Sequence, residues 1–233
     1  MAYIEFKNVT KEFEEENNNV KVLKKLNFEI EKGELVVITG PSCTGKTTLL
    51  NILGGIDKID GGNVIVNETD ITLLKERKLV KYRRDNVGIA FESCDLVQSL
   101  SVKENIELAT QLRKEKIDAD AIIKKVGLTK KAYNFPSDLS ASEKQRVTIG
   151  IAIAKNPAIL LCDEPVKSLD DKGCKQIIKL LQTLSKKEKT TVVIATKNST
   201  IASIANRVIS LKNGRIQEVK INEKPKNAGD LSW

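Results

Sequence analysis

The chain has 233 residues, of which 40% are hydrophobic and 30% charged, a composition typical of a globular protein with one or two domains. No apolar run approaches the ~18 residues of a membrane-spanning helix, residues 1–7 lack the apolar segment of a signal peptide, and the absence of histidine excludes every histidine-based triad or metal site. We therefore expect a cytoplasmic protein that does not insert into a membrane.

The net charge of +8 is spread along the whole chain. A solvated lysine-rich surface explains it better than nucleic-acid binding does, and anionic lipid head groups nearby are a second explanation. The four cysteines lack the spacing of a metal site and are predicted to be free thiols. We expect no nucleic-acid partner.

The first elements are predicted to be strands, and a phosphate-binding pattern follows them. Strands are predicted at 3–9 and 22–30, with a polar turn or loop at 17–19 between them. Residues 40–47 then match the pattern G-x-x-x-x-G-K-[ST], between an apolar run at 35–39 that predicts a buried strand and a helical pattern at 48–53.

The chemistry of such a loop explains its residue types. Glycines let backbone N–H groups surround phosphate oxygens, and the helix N-terminus adds positive potential. The lysine reaches the β- and γ-phosphates, and the hydroxyl after it can ligate Mg²⁺. We predict a nucleoside triphosphate site formed by Gly40, Ser42, Cys43, Thr44, Gly45, Lys46, Thr47 and Thr48.

The middle of the chain becomes helical. Up to residue 91 the pattern predicts two turns, a strand, a basic helix and a further strand, at 54–55, 60–62, 64–66, 73–84 and 87–91. From residue 99 to residue 156 helices dominate, and Ser101 with Glu104 forms a capping-box signature. Ile106, Leu108 and Leu112 predict an apolar helix face.

Strands return in the last third of the chain. A helix is predicted over 171–184, and Asn213-Gly214 is a hairpin turn signal. The predicted strands are 158–162, 191–195, 208–212 and 216–221. Strands alternating with helices indicate an α/β fold with a parallel-rich sheet. We predict a single domain over 1–233: an α/β core with an antiparallel β subdomain (1–91 and 157–221), an inserted helical subdomain (92–156), and a frayed polar tail (222–233).

Two carboxylates follow the apolar run at 159–162. At the end of a strand on the same sheet edge as the phosphate loop, Asp163 can hold Mg²⁺ through water. Glu164 is then placed to orient and deprotonate an attacking water.

With these motifs in place, residues 6–219 resemble the ATP-binding subunit of an ABC transporter. The segments 51–57 and 83–88 are similar to the lipoprotein-releasing and macrolide-efflux branch, which includes the FtsE type, and Ser168-Leu169-Asp170 resembles the D-loop. The resemblance implies a RecA-like P-loop NTPase core that uses ATP and Mg²⁺. It also implies that Phe13 stacks on adenine, that two ATP-binding subunits, as a homo- or heterodimer, sandwich the nucleotide, and that a membrane permease is a further partner.

Three positions depart from the family pattern. The signature LSGGQ is replaced by Leu139-Ser140-Ala141-Ser142-Glu143, whose Ser140, Ser142 and Glu143 would face the partner subunit's nucleotide. The added side chains crowd that approach, and the carboxylate repels a polyphosphate by at least ~1 kcal/mol. Glu92 replaces the Q-loop glutamine and can still ligate Mg²⁺, and Lys197 replaces the switch histidine as a point charge.

These departures leave more than one function open. A transport ATPase subunit with slow hydrolysis, in which Glu164, Lys197 and Glu92 act in catalysis, is favoured. A non-catalytic ATP-binding partner of a competent ATPase is the second possibility. A DNA-associated protein of the SMC or Rad50 kind, or an ABC-F translation factor, is disfavoured because the chain has neither a long inserted coiled coil nor a second ABC domain.

Overall fold

The computed structural model describes residues 2–15, 18–91, 95–111 and 117–231. Within these ranges the strands are β1 (Ile4–Glu15), β2 (Asn18–Ile30), β3 (Leu35–Thr39), β4 (Gly61–Val66), β5 (Thr69–Asp70), β6 (Val87–Ala90), β7 (Ile159–Asp163), β8 (Thr191–Thr196), β9 (Arg207–Lys212) and β10 (Arg215–Ile221). The α-helices are α1 (Lys46–Leu53), α2 (Glu76–Asn86), α3 (Val102–Thr110), α4 (Ala119–Lys125), α5 (Ala141–Ile153) and α6 (Asp171–Glu188).

A six-stranded sheet forms the centre of the molecule, in the order β10-β9-β3-β8-β7-β6. All neighbouring pairs are parallel except β9–β10, which is the antiparallel hairpin predicted from Asn213-Gly214. Apolar residues of β3 belong alternately to two cores: Val37 packs with residues of α3–α6, whereas Val36 and Ile38 pack with residues of β1, β2 and α1. The predicted α/β fold with a parallel sheet covered on both faces is therefore confirmed.

The second sheet is antiparallel, in the order β2-β1-β4-β5. Its strands bury one face, on which the Phe6 and Phe28 rings stack with their centroids 4.4 Å apart. The hairpin of β1 and β2 is longer than predicted, because Asn18 and Asn19 pair with Glu15 and Glu14 instead of forming a turn. The predicted turn at 60–62 is wrong in the same way, since residues 61 and 62 begin β4.

The helical segment begins with the predicted capping box. Glu104 N–H donates to Ser101 Oγ (3.3 Å), and Ser101 N–H donates to Glu104 Oε2 (2.8 Å). Ile106 is buried, but Leu108 is 46% exposed, so the predicted apolar face is wrong at Leu108, and Leu112 lies outside the described residues. No helix in the described ranges is long and apolar enough to cross a membrane.

Two helices differ in extent from their predictions. The basic helix α2 begins at Glu76, because residues 71–73 form a 3₁₀ turn capped by Asp70, whose Oδ1 accepts from Thr72 N–H (2.9 Å). Helix α6 extends four residues beyond its predicted end at 184 and closes at Lys189 in the left-handed conformation.

The segment after β10 is packed rather than frayed. Asn222 Nδ2 donates to Ala205 O (2.7 Å), and Gln182 of α6 bonds Lys226 O (2.8 Å) and Ala228 N–H (3.1 Å). Ala228 and Leu231 are buried against the core that includes α6. The polar composition that predicted fraying therefore overlooked two buried apolar side chains.

This packing predicts a stability effect for Leu231→Ala. The substitution removes a buried isobutyl group, so we expect the free energy of unfolding to fall by about 2–4 kcal/mol. The melting temperature should fall by about 2–4 °C for each kcal/mol that is lost. Leu73→Ala is the matched control, because Leu73 is 77% exposed and its loss should change stability by less than ~0.5 kcal/mol. Equal melting temperatures for both variants would contradict the packing of this segment.

Candidate functional site

The phosphate loop runs from the end of β3 to the start of α1, and two glycines allow neighbouring strands to pack against it. A Cβ at Gly40, whose φ is 155°, would lie 2.1 Å from Leu211 O of β9. A Cβ at Gly45, whose φ is 94°, would lie 2.6 Å from Leu23 Cδ2 of β2. Both glycines are therefore required by close packing, and Gly45 also by its left-handed backbone.

The lysine of the loop is directed into it. Lys46 Nζ donates to Gly40 O (2.8 Å) and to Pro41 O (2.7 Å), and Thr44 Oγ1 also donates to Pro41 O (3.0 Å). Burial lowers the pKa of Lys46, and the nearby carboxylate of Glu164 opposes that shift. The loop thus holds a buried ammonium group at its centre.

The remaining loop side chains differ in exposure. Ser42 and Cys43 are exposed, whereas Thr48 is half-buried at the start of α1. Cys43 has a φ of 57°, a left-handed conformation that costs a non-glycine residue on the order of 1 kcal/mol. Its exposed side chain points away from the packed interior of the loop.

The first carboxylate, Asp163, ends β7 and lies against the loop. Thr47 Oγ1 donates to Asp163 Oδ2 at 2.6 Å. This contact places the Thr47 hydroxyl where it could ligate Mg²⁺ and the Asp163 carboxylate where it could hold the ion through a water molecule. Two protein oxygens also suit Mg²⁺, which usually keeps waters and substrate phosphates as its other ligands.

The second carboxylate, Glu164, is fixed by the end of the neighbouring strand β8. Its φ is 44°, its N–H donates to Ala195 O (2.8 Å), and its carboxylate accepts from Thr196 Oγ1 (2.9 Å) and Lys197 N–H (3.1 Å). Lys197 therefore contacts Glu164 through its main chain, and its exposed ammonium group is close enough to lower the pKa of Lys46.

The sequence reasoning missed Thr196, whose buried hydroxyl orients Glu164. Because β7 and β8 are neighbouring parallel strands with Asp163 opposite Ala195, Glu164, which follows β7, lies beside Thr196, the last residue of β8. In the sequence, the polar residue Thr196 directly after the run 191–195 was the signal that could have identified this contact.

The signature residues lie at the start of α5. Ser140 and Glu143 form a capping box, in which Ser140 N–H donates to Glu143 Oε2 (2.9 Å) and Glu143 N–H donates to Ser140 Oγ (3.3 Å). The hydrogen bond from Ser140 N–H to the carboxylate is the main cause that lowers the pKa of Glu143. Ser142 Oγ lies 3.3 Å from Ser140 Oγ.

A cavity of about 430 Å³ is lined by Ser140–Glu143 and by Arg146, Ser168, Leu169, Asp170, Lys172, Gly173 and Gln176. Of the described residues, none in the phosphate loop lines this cavity. The phosphate loop, Asp163, Glu164 and Lys197 thus lie together in the subunit. Ser140, Ser142 and Glu143 lie apart from them, in the cavity at the start of α5. Glu92, predicted to act in catalysis and to bind the metal, lies outside the described residues.

Phe13 lies near the end of β1, in the hairpin of β1 and β2, and is 40% exposed. Lys11 Nζ lies over its ring, 5.0 Å from the centroid, and also 3.7 Å from Asp60 Oδ1. The ring is thus held by a cation on one face and is accessible to a planar group.

A phosphate loop between a parallel strand and a helix, with two carboxylates at the end of a nearby strand of the same sheet, defines the class of P-loop nucleoside triphosphatases. The family profile of the ABC transporter matches residues 23–167. The chain belongs to the ABC transporter ATP-binding family, as its motifs predicted.

Relatives of known sequence agree with this assignment. The chain is 36% identical to the putative ABC transporter ATP-binding protein MG065 homolog of Mycoplasma pneumoniae over 99% of its own length and 50% of that protein. It is also 36% identical to the bacitracin export ATP-binding protein BceA of Halalkalibacterium halodurans, over 93% of this chain and 87% of that one. The chain thus spans about half the length of the Mycoplasma relative.

Solved structures show the same fold. The dimeric ATP-binding cassette MJ0796, in a post-hydrolysis state bound to ADP and Pi, superposes with a TM-score of 0.86 at 34% identity over 94% of this chain and 98% of that one. The cbiO1 protein from Clostridium perfringens, part of the cbiONQ transporter complex, superposes with a TM-score of 0.84 at 25% identity over 94% and 88%.

The exposed ring of Phe13 generates a prediction about nucleotide binding. Because a phenyl ring has no hydrogen-bonding group to read a base, Phe13→Ala should weaken ATP and GTP binding alike, by about 5- to 150-fold for a lost stacking contact of about 1–3 kcal/mol. Calorimetric titration measures both affinities.

Two control variants accompany that measurement. Phe13→Tyr keeps the ring and should keep the affinity, and Tyr133→Ala removes a ring that is 76% exposed on the helical segment and should have no effect. A loss confined to ATP would show that stacking is not the contact.

Proposed function

We propose that this chain is the ATP-binding subunit of an ABC transporter-type complex and couples ATP binding, with slow hydrolysis, to the movement of a separate membrane permease. The observation that carries the proposal is the contact between Thr47 and Asp163, since it joins the phosphate loop to the carboxylate strand at 2.6 Å. The names of the relatives, which include an export ATP-binding protein, support a role in transport.

Each part of the site has a role in this proposal. The ammonium group of Lys46 exchanges its bonds to loop carbonyls for bonds to phosphate oxygens, while Thr47 and Asp163 hold Mg²⁺. Mg²⁺, when bound, neutralises charge on the β- and γ-phosphate oxygens. Glu164, oriented by Thr196 and Lys197 N–H, accepts a proton from the attacking water.

The proposed partners follow from the family and from the cavity at the signature residues. The signature turn (Ser140–Glu143) of one subunit faces the nucleotide of a second ATP-binding subunit, identical or different; MJ0796 is likewise a dimer. The permease holds the complex at the cytoplasmic face of a membrane, so the chain is peripheral to that membrane.

The assignment of the phosphate site is tested by Lys46→Ala. Removing the ammonium group leaves phosphate charge uncompensated, so we expect the affinity for MgATP to fall at least ~10-fold in calorimetry. Lys75→Ala is the control, since Lys75 is an exposed lysine outside the loop and should leave the affinity unchanged. Binding as tight as in the parent protein would refute the proposed site, provided that the variant keeps its melting temperature.

Slow hydrolysis is expected from the three departures. Lys197 offers a point charge where the family has an imidazole, and Glu92 lacks the amide donor of glutamine. In the signature turn, the ionised carboxylate of Glu143 bonds its own N-cap and brings negative charge to the surface that faces the opposing phosphate. Since Glu164 is present, the general base is not what the site lacks.

Restoring the family residues should raise the rate. Losing one contact that stabilises developing charge costs ~10²–10³ in rate, so Lys197→His combined with Ala141→Gly, Ser142→Gly and Glu143→Gln should increase phosphate release at least ~10-fold. Phosphate release is measured with the cognate permease present. A parent rate that is already typical of ABC ATPases and does not change in the variant would show that the departures are compensated elsewhere.

A non-catalytic ATP-binding partner of a competent ATPase is the second candidate, favoured by the number of departures in the site. The same ATPase measurement, with and without the permease, separates the two. Turnover that depends on Glu164 supports the first, whereas ATP binding without turnover supports the second.

A further inference from the structure

Gly173 lies in the first turn of α6, where nothing in the backbone requires a glycine. Its φ is not positive, and its N–H donates to Asp170 Oδ1 (2.9 Å), as expected for a residue three positions after the N-cap. Glycine in a helix costs about 1 kcal/mol relative to alanine. The reason for glycine must therefore be the space around it.

That space is taken by the signature turn. A Cβ built on Gly173 would lie 2.9 Å from Ser142 Cβ, closer than side chains of folded proteins approach, and 2.7 Å from Asp170 Oδ1. The two contacts differ in character. Asp170 Oδ1 is the end of a side chain that can rotate by a few tenths of an ångström, whereas Ser142 Cβ is attached directly to the backbone of α5. Relief of the second contact therefore requires movement of the first turn of α5 relative to the first turn of α6.

Ser142 occupies one of the two signature positions at which the family has glycine. Its Cβ packs against α6 of its own subunit, and its hydroxyl lies 3.3 Å from Ser140 Oγ. Ala141, in contrast, is exposed. The serine side chain at residue 142 therefore fits within its own subunit because Gly173 has no side chain.

We propose that Gly173 is a positioning residue for the signature turn, Ser140–Glu143, and that Ser142 and Gly173 form a matched pair. The missing side chain on α6 lets the first turn of α5 lie close to the D-loop despite the serine at residue 142. The functional part of this inference rests on the proposed function, because the turn then presents Ser140 and the N-terminal amides of α5 to the opposing nucleotide. The geometric part, the packing of Ser142 against Gly173, does not depend on the proposed function.

The sign of a stability change tests the geometric part. If Ser142 did not limit the space at Gly173, Gly173→Ala should raise the melting temperature by about 2–4 °C, because alanine is the better helix former. Because Ser142 Cβ does limit that space, we expect overpacking to outweigh the gain and the melting temperature to fall by at least ~2 °C. In the Ser142→Gly background, the same Gly173→Ala change should raise the melting temperature instead.

Two other results would overturn the pairing. A rise for Gly173→Ala alone would show that the turn does not limit the space. A fall of equal size in both backgrounds would assign the limit to Asp170 rather than to Ser142. Gly229→Ala is the matched control, since a Cβ there has nothing within 4 Å and should not lower the melting temperature.

Hydrogen exchange then tests positioning without nucleotide. Peptides covering residues 140–146 should exchange faster in Gly173→Ala and return to the parent rate in the double variant, while peptides of α1 remain unchanged. Unchanged exchange at 140–146 in a destabilised Gly173→Ala variant would contradict a positioning role.

Light scattering with MgATP, in the Glu164→Gln background that should preserve ATP, supplies the functional readout. We expect ATP-dependent dimers for the parent and for the double variant, and at least ~10-fold weaker dimerisation for Gly173→Ala. Equal dimerisation by all of them would overturn the functional part of the inference. If the parent itself forms no dimer, the homodimeric form of the proposed function fails, while the melting temperatures and the exchange data still decide whether Gly173 positions the turn.

Discussion

The parallel ladder of β3, β8 and β7 is the constraint on which the rest of the site depends. Thr39 pairs with Thr196, and Asp163 pairs with Ala195, so the three strands end at the same level of the sheet. Everything that follows these ends meets there: the phosphate loop after β3, Glu164 after β7 and Lys197 after β8. Since every backbone group in a buried parallel ladder must be paired, a shift of one strand would break hydrogen bonds and turn its side chains to the wrong core. The geometry of the site is therefore as stable as the sheet.

Close packing around the phosphate loop adds a second constraint. Gly40 and Gly45 admit backbone and side-chain atoms of β9 and β2, and Lys24 N–H bonds Gly214 O (2.8 Å) in the turn between β9 and β10. The antiparallel sheet that carries Phe13 is thus joined directly to the loop. An adenine ring on Phe13 and phosphates in the loop would be held by one connected body, which limits the entropy that binding has to remove.

The two halves of the proposed catalytic machinery differ in how the chain supports them. In the half with Lys46, Thr47, Asp163 and Glu164, hydrogen bonds from Thr47 to Asp163 and from Thr196 to Glu164 join residues far apart in sequence. The signature half is held by a local capping box and by the packing of Ser142 on Gly173. A change at the start of α6 can therefore move the signature turn while leaving the phosphate loop intact, which makes the two halves separable by mutation.

The sequence by itself determined the parts of the protein that local patterns encode. The pattern at residues 40–47, the capping box at Ser101 and the alternation of apolar strands with helices sufficed for the α/β fold and the ABC family, because each depends on neighbouring residues. Its assignment of roles to individual side chains, including Glu92, stays a prediction.

The tertiary structure decided what depends on residues distant in sequence. Composition could not show that Leu231 packs against the core, and no local signal at Gly173 points to Ser142, 31 positions earlier in the chain. Likewise, Thr196 became a partner of Glu164 only through the register of β7 and β8. Local patterns record which side of an element is apolar, whereas the contacts between elements are selected by steric fit, and only the folded chain displays that fit.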